Sequence, residues 1–380
     1  MNKVNGILEC KTLFFIMSFY VGLWTIRMPD IKDQLNTDYI GIGYIMVTFA
    51  IGSIIAMLLA NQIIKKTSIK SVLMYSSIFQ GLFWLPVAFI DDLKIFMLIT
   101  FIFGLSYGAF EIACNLYVSK IEKRENKSLM AGFHAFWSLG VLFGSLITSL
   151  FLEIKISLFI NILFYVSILL PLSLYSVIHI NEKFEQENES KKSIFFVWPL
   201  FIFLLAFIAM ANALTEGSID AWGALYMRDY IKVDGFQIGI ATLSFNIFMV
   251  IGRLTGDRIR DKIGVFNLLI ILFFITIFSL YILNFFNSIT SSILGFSLLG
   301  LGSSSIIPIT YSLAAKIKGI ESGVSITIIS LFVYGTFIGA PAGLGFVANS
   351  FGINNIFIPL LIAFIILIMP ILLLKKEFKL

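Results

Sequence analysis

The 380-residue sequence predicts an all-α polytopic membrane protein, with twelve transmembrane helices arranged as two pseudo-symmetric six-helix bundles. Composition is the first observation behind that prediction. Apolar residues make up 59% of the chain and charged residues 13%, against about 45–50% and about 25% in soluble domains. With 40 Phe and a mean hydropathy of +0.97, there is too little polar surface to cover a water-soluble fold of this size. The second observation is a series of apolar stretches of spanning length, and the third is an internal repeat that joins the two halves. A soluble enzyme, a disordered chain, collagen and a disulfide scaffold are excluded by the same proportions, with 28 Gly and two Cys.

In chain order the first six spans are expected at 9–28, 39–64, 71–90, 95–119, 129–151 and 156–179. The second six follow at 195–226, 236–256, 265–286, 290–315, 322–348 and 353–374. Runs this long are helical, because barrel strands would alternate over about ten residues. Gly and Pro inside them are tolerated where neighbouring helices satisfy the freed backbone groups. Met1 to Trp24 imitates a secretory signal, but no small-residue cleavage site closes it and the run continues to Arg27 and Pro29. It is expected to be a retained first helix. A mixed-charge stretch with Glu182, Glu185, Glu187, Glu189, Lys191 and Lys192 cannot build a core. The expected domains are therefore a first bundle over 1–180, a cytoplasmic linker over 181–194 and a second bundle over 195–380.

Charge placement sets the orientation. If the N-terminus is cytoplasmic, 21 of the 27 Lys and Arg fall on the cytoplasmic side and 6 outside. The bias holds from loop to loop, so both termini are expected in the cytoplasm. The partner of these charges is then the lipid bilayer and not nucleic acid. Cys10 beside Lys11 and Cys114 inside an apolar run would lie at different depths, so both are expected as free thiols.

The halves repeat at nearly one period. Ile40-Gly41-Ile42 and Ile238-Gly239-Ile240 are offset by 198, Phe103-Gly104-Leu105 and Leu299-Gly300-Leu301 by 196, and Gly140 with Gly144 matches Gly335 with Gly339 at 195. Two parallel six-helix repeats with cytoplasmic termini resemble the major facilitator superfamily over essentially the whole chain. The run Gly252 to Gly264 resembles that family's signature loop between helices eight and nine. That resemblance implies a conformational gate at Gly256, Asp257, Arg258, Asp261, Lys262 and Gly264. The matching loop, Asn61 to Lys70, keeps lysines but has no acidic residue. Four further motifs are Trp24 to Leu35, Glu111 with Asn115, His134 to Gly140, and Glu216 to Trp222. Together they are similar to one bacterial branch, that of the rhizopine-transport membrane protein and the fucose-permease-type sugar-proton symporters.

The chemistry is expected at polar groups held at membrane depth, where a charge costs about 2.5–3.5 kcal/mol on insertion scales. Glu111 lies nine residues before Lys120, about 13 Å from the helix end, and Asn115 shares its face one turn on. His134 reaches a similar depth in span five. Glu111 is expected to carry a proton with His134 as partner or relay; the alternative is a static buried pair that locks helix four to helix five. Burial disfavours a charged carboxyl and a nearby imidazolium favours it, so the sequence leaves both open. In span seven, Asn212, Glu216 and Asp220 form a polar stripe at i, i+4 and i+8, with Glu216 a further proton-coupling candidate. Asn212, Asp220, Asn115, Trp24, Arg27 and Trp222 are expected to line the substrate cavity, with Tyr226 adding a second stacking face. An Arg27 bond to Glu216 or Asp220 would close the outside; alternatively Arg27 and Asp220 reach headgroup water. Gly140, Gly144, Gly335 and Gly339 read as close-packing positions. Ser303, Ser304, Ser305 and Pro308 point to a locally unwound wall in span ten.

A membrane enzyme would need a catalytic cluster, yet the only histidines are His134 and His179 and no His-Glu-x-x-His, Cys-x-x-Cys or P-loop occurs. No cofactor or metal is expected, and the chain is expected to be monomeric. A secondary transporter that moves a small polar solute with a proton accounts for the remainder, and the resemblance to the symporter branch implies a sugar or polyol first. The alternatives are proton-coupled export of a small metabolite or drug, and a solute sensor that transports nothing.

Overall fold

The computed structural model of the chain describes residues 6–125, 130–180, 199–314, 316–317 and 322–379. The linker expected at 181–194 lies outside them. All twelve expected spans are helical over their described residues. The first six are α1 (Ile7–Gln34), α2 (Tyr39–Lys66), α3 (Ile69–Val87), α4 (Leu93–Glu125), α5 (Met130–Glu153) and α6 (Leu158–His179). The seventh, α7 (Leu200–Leu225), runs on into a π-helical turn (Tyr226–Ile231), and a 3-10 turn (Gly235–Gly239) leads into α8 (Ile240–Ile263). Then come α9 (Val265–Phe285), α10 (Ile289–Ser303), α11 (Ile306–Ala314), α12 (Ser322–Phe351) and α13 (Ile358–Leu373). Span ten is thus two helices, α10 and α11. Among the described residues, 11 helical runs are long and apolar enough to cross a membrane. The helix missing from that count is α3, where Lys70, Ser71, Ser76, Ser77 and Gln80 dilute the apolar residues.

Helix starts follow local chemistry. Asp38, Ser68 and Ser157 each accept the amide of the residue three positions on, at 2.9, 2.9 and 3.4 Å, which satisfies one of the donors a helix N-terminus leaves open. The chain divides into two compact units, Met1–Glu187 with Asp234–Gly239, and Asn188–Val233 with Ile240–Leu380.

Within each unit, glycines set how closely helices approach. A Cβ at Gly104 would fall on the carbonyl oxygen of Phe49, so α4 and α2 touch backbone to backbone. In the second unit Gly300 meets the carbonyl oxygen of Phe245 in the same way. Both partners are displaced by 196 residues, so the internal repeat extends to an atomic contact. In the first unit α1 and α5 make the same kind of approach, with Gly140 against Phe15 and Gly144 against Phe19. Here the repeat breaks. Among the described residues, a Cβ at Gly335 or Gly339 would meet nothing within 4 Å, which corrects the expectation that all four glycines pack closely.

The cysteines also need a correction. Both are free and fully buried, as expected, but they do not lie at different depths: the two side chains form a hydrogen-bonded pair. α4 extends to Glu125, beyond the end expected for span four, so Cys114 comes level with the start of α1.

Candidate functional site

In the second unit the α7 stripe meets α8 and the break between α10 and α11. Asn212 Nδ2 donates to Glu216 Oε1 at 2.8 Å, one turn apart on α7. Arg253 of α8 brings Nη2 to 3.7 Å from Glu216 Oε2. The same guanidinium donates through Nε to the carbonyl oxygen of Ser304 at 3.4 Å. That oxygen is open for a local reason. Four residues on stands Pro308, which has no N–H to complete the helical bond, and the chain turns at Ser304–Ser305. The sequence's hydroxyl-rich break is therefore real, and its exposed carbonyl is taken by Arg253. α8 comes this close because Gly252 and Gly256 have no side chain; a Cβ at either would fall on Ser304 Oγ or Ser305 Oγ.

Arg253 is the residue that sequence reasoning missed. The charge tally places it with the cytoplasmic cations although the expected eighth span, 236–256, contains it; α8 runs helically to Ile263 and keeps it inside an apolar run, Gly235–Gly256, long enough to span. The signal was present in the spacing, since Arg253 precedes the cluster Arg258, Arg260, Lys262 by more than a turn. The signature motif is correspondingly a helix end and not a loop. Only Gly264 separates α8 from α9, and its φ of 82° is one that side-chain-bearing residues rarely adopt. Arg258, Asp261 and Lys262 are exposed, and Arg260 Nε lies 3.9 Å from Asp261 Oδ1. The side chain of Asp257 lies outside the described residues.

Asp220, one turn beyond Glu216, is half-buried and forms no hydrogen bond or ion pair among the described residues. The α7 stripe thus presents two carboxylates against one guanidinium. Trp222 and Tyr226, expected as stacking faces for a solute, are instead internal: both are fully buried, and Tyr226 Oη donates to the Leu283 carbonyl at 2.6 Å. On the helical wheel Trp222 falls to the side of the stripe that packs into the unit.

In the first unit, Arg27 is buried and its bonds are internal. Nε donates to Asn161 Oδ1 at 3.0 Å, Nη1 pairs with Asp30 Oδ2 at 2.7 Å, and Nη2 donates to the Ile156 carbonyl at 2.7 Å. The expected bond to Glu216 or Asp220 is not the one formed, because the guanidinium fork matches three acceptors that α1, α6 and the turn before α6 already supply. Arg27→Gln is expected to lower the melting temperature in detergent, with a loss of about 2–4 kcal/mol from the acceptors left unsatisfied. Arg27→Lys is expected not to rescue it, since one ammonium cannot span three acceptors. Unchanged stability in both variants would remove Arg27 from this structural role. Trp24 is half-buried, edge-on to Trp84 with ring centroids 5.8 Å apart. Glu111 and Asn115 are half-buried on α4. His134 is exposed, against the expectation of a buried group, and its ring lies edge-on to Phe14 at 5.4 Å.

Comparison with known proteins bears on this geometry. A family model described as Major Facilitator Superfamily matches residues 12–316. An uncharacterized MFS-type transporter of Yersinia pestis is 25% identical over 341 residues, covering 89% of this chain and 88% of that protein. Membrane protein MosC of Rhizobium meliloti is 24% identical over 352 residues, covering 90% and 83%. Among solved structures, the nucleoside transporter NupG superposes with a TM-score of 0.77 at 15% identity, over 99% of this chain and 100% of that one. A bacterial homolog of the human lysosomal transporter Spinster, inward-facing and occupied, gives 0.71 at 10% identity, over 98% and 96%. At these identities the two structures speak for the fold alone.

Proposed function

The chain belongs to the major facilitator superfamily, and from that premise we propose that this secondary transporter couples a proton to a small polar solute, a sugar or polyol first, by alternating access. The observation that carries the reading is the Asn212, Glu216, Arg253 and Ser304 chain of contacts inside membrane-spanning helices. Charges at that depth are expensive and persist where they work. An ionised Glu216 holds Arg253; a protonated Glu216 releases it to Asp220 or to an acceptor on the solute. One proton then changes the hydrogen bonds offered to a solute beside α7, and in that way biases one conformation over another.

Glu111 stays in the proposal as the first unit's intramembrane carboxyl, with His134 one candidate relay and Asn115 on the solute side. Asp257, Arg258, Asp261 and Lys262 then act at the end of α8 by setting the balance of conformations without touching solute. The transporter opens alternately to the two sides, with both termini cytoplasmic in a bacterial inner membrane. The chain works as a monomer. Motif resemblance to the rhizopine-transport and fucose-permease branch supports uptake over export.

The test is uptake into proteoliposomes of labelled sugars, polyols, amino acids and organic acids, with an inward proton gradient and with an uncoupler. Accumulation of a sugar or polyol that the uncoupler abolishes is expected. Glu111→Gln is expected to lose accumulation while keeping solute exchange, and a Glu111→Gln protein that still concentrates solute would remove Glu111 from coupling. Binding without flux for any solute would make the chain a sensor.

A further inference from the structure

We propose that the first unit contains a second, closed hydrogen-bonding nest for an uncharged ring-shaped solute, built by Tyr20 of α1 with Gln80 and Trp84 of α3. The proposal rests on the transport reading for its biological sense, but not on the α7 site. Tyr20, Gln80 and Trp84 are 3%, 3% and 2% exposed. Tyr20 Oη, Gln80 Nε2 and Trp84 Nε1 nevertheless have no hydrogen-bond partner among the described residues. Buried polar groups in folded proteins nearly always have one, and an exception calls for a cause. The same helix shows the ordinary pattern one turn away. Ser77 Oγ accepts the Ser173 hydroxyl at 2.7 Å, and the Ser76 carbonyl accepts the Ser106 hydroxyl at 2.9 Å.

The rings of Tyr20 and Trp84 are neighbours, and Gln80 shares the face of α3 from which Trp84 projects. Tyr20 and Trp84 lie nearly parallel, with centroids 6.1 Å apart and planes at 13°. Gln80 is one turn before Trp84 on the same face of α3. Two rings stand edge-on around Trp84: Trp24 at 5.8 Å and Phe103 of α4 at 5.4 Å. Both are half-buried, so they form the cover, and their displacement would open the donors beneath.

The chemistry of the nest selects its ligand. The indole N–H and the amide nitrogen donate only, and the phenol donates or accepts. A ligand that satisfies them presents oxygen or ring-nitrogen acceptors. The surrounding side chains, Trp24, Phe96 and Phe103, carry no charge. An anion or cation taken there would be desolvated with no counter-charge, which is strongly unfavourable. Flat aromatic walls instead suit the face of a sugar, a cyclic polyol or a neutral heterocycle.

The near-isosteric variants Tyr20→Phe and Gln80→Met test this in the purified full-length protein, with myo-inositol, D-glucose and uridine as neutral probes and glutamate and putrescine as charged ones. Because each variant deletes a donor with no protein partner, its ligand-free melting temperature is expected to equal or exceed that of the wild type. At least one neutral probe is expected to bind the wild type and to bind each variant about tenfold more weakly. Equal affinity in wild type and variants, binding of charged probes only, or binding of no probe would overturn the nest. Flux in proteoliposomes from the same preparation separates the two readings: flux of any solute with equal probe affinity in wild type and variants keeps the transporter and refutes the nest, while no flux of any solute refutes the transport reading itself.

Discussion

Glu216→Gln is expected to turn a concentrative transporter into an equilibrative one. An interior-negative potential of about 100 mV supplies about 2.3 kcal/mol per charge moved, enough for roughly fifty-fold accumulation when one net charge accompanies each solute. The amide cannot exchange a proton, yet it keeps the shape of the carboxyl and an oxygen that can accept from Arg253. The variant should therefore fold and exchange labelled for unlabelled solute, while its internal concentration stops at the external one. Arg253→Gln should do more damage. It removes the partner 3.7 Å from Glu216 and the donor to the Ser304 carbonyl, and breaking a buried pair from one side costs about 3–5 kcal/mol; that figure is an upper bound here, because both side chains keep some exposure. The double variant Glu216→Gln with Arg253→Gln should recover part of that stability but none of the accumulation, which a thermal melt and an uptake assay on one preparation would show.

A second structural effect is expected where α1 and α5 touch. Gly140→Val or Gly144→Val drives a side chain onto the carbonyl oxygen of Phe15 or Phe19. Backbone cannot yield as a side-chain tip can, and overpacking of this kind costs about 1–3 kcal/mol or more. Monodisperse protein on size-exclusion chromatography should fall sharply for either change. Gly335→Ala and Gly339→Ala, at the repeat-equivalent positions, should leave the yield unchanged or higher, since no described residue lies within 4 Å and Ala is the better helix former by about 1 kcal/mol. Equal loss at all four positions would mean that α12 packs as tightly as α5.

The contrast shows what a sequence carries and what it does not. Spans were legible because apolar runs bounded by Lys and Asn report a bilayer directly. The match of Gly104 with Gly300 was legible too, and it proved to mark the same contact in each unit. Gly335 and Gly339 show the limit, because a repeat of small residues does not say whether a neighbour approaches. Arg253 falls inside the expected eighth span, but a cation near a basic cluster gives no sign of its partners, and only the fold brings Glu216 and the Ser304 carbonyl beside it. Arg27 was read as a gate because sequence gives depth but not direction; its guanidinium turns into its own unit, toward Asn161 and Ile156. Cys10 and Cys114 were separated by a depth argument that the length of α4 defeats. Tyr20, Gln80 and Trp84 drew no attention at all, since three polar groups on two helices become conspicuous only when each lacks a partner.

The most direct test of the central claim is proton movement during solute transport, followed by an internal pH dye in proteoliposomes that contain wild-type protein or Glu216→Gln. Addition of the transported solute to the wild type should acidify the interior, and the variant should exchange solute with no acidification. Acidification by Glu216→Gln at the wild-type rate would contradict the assignment of coupling to the α7 carboxylate.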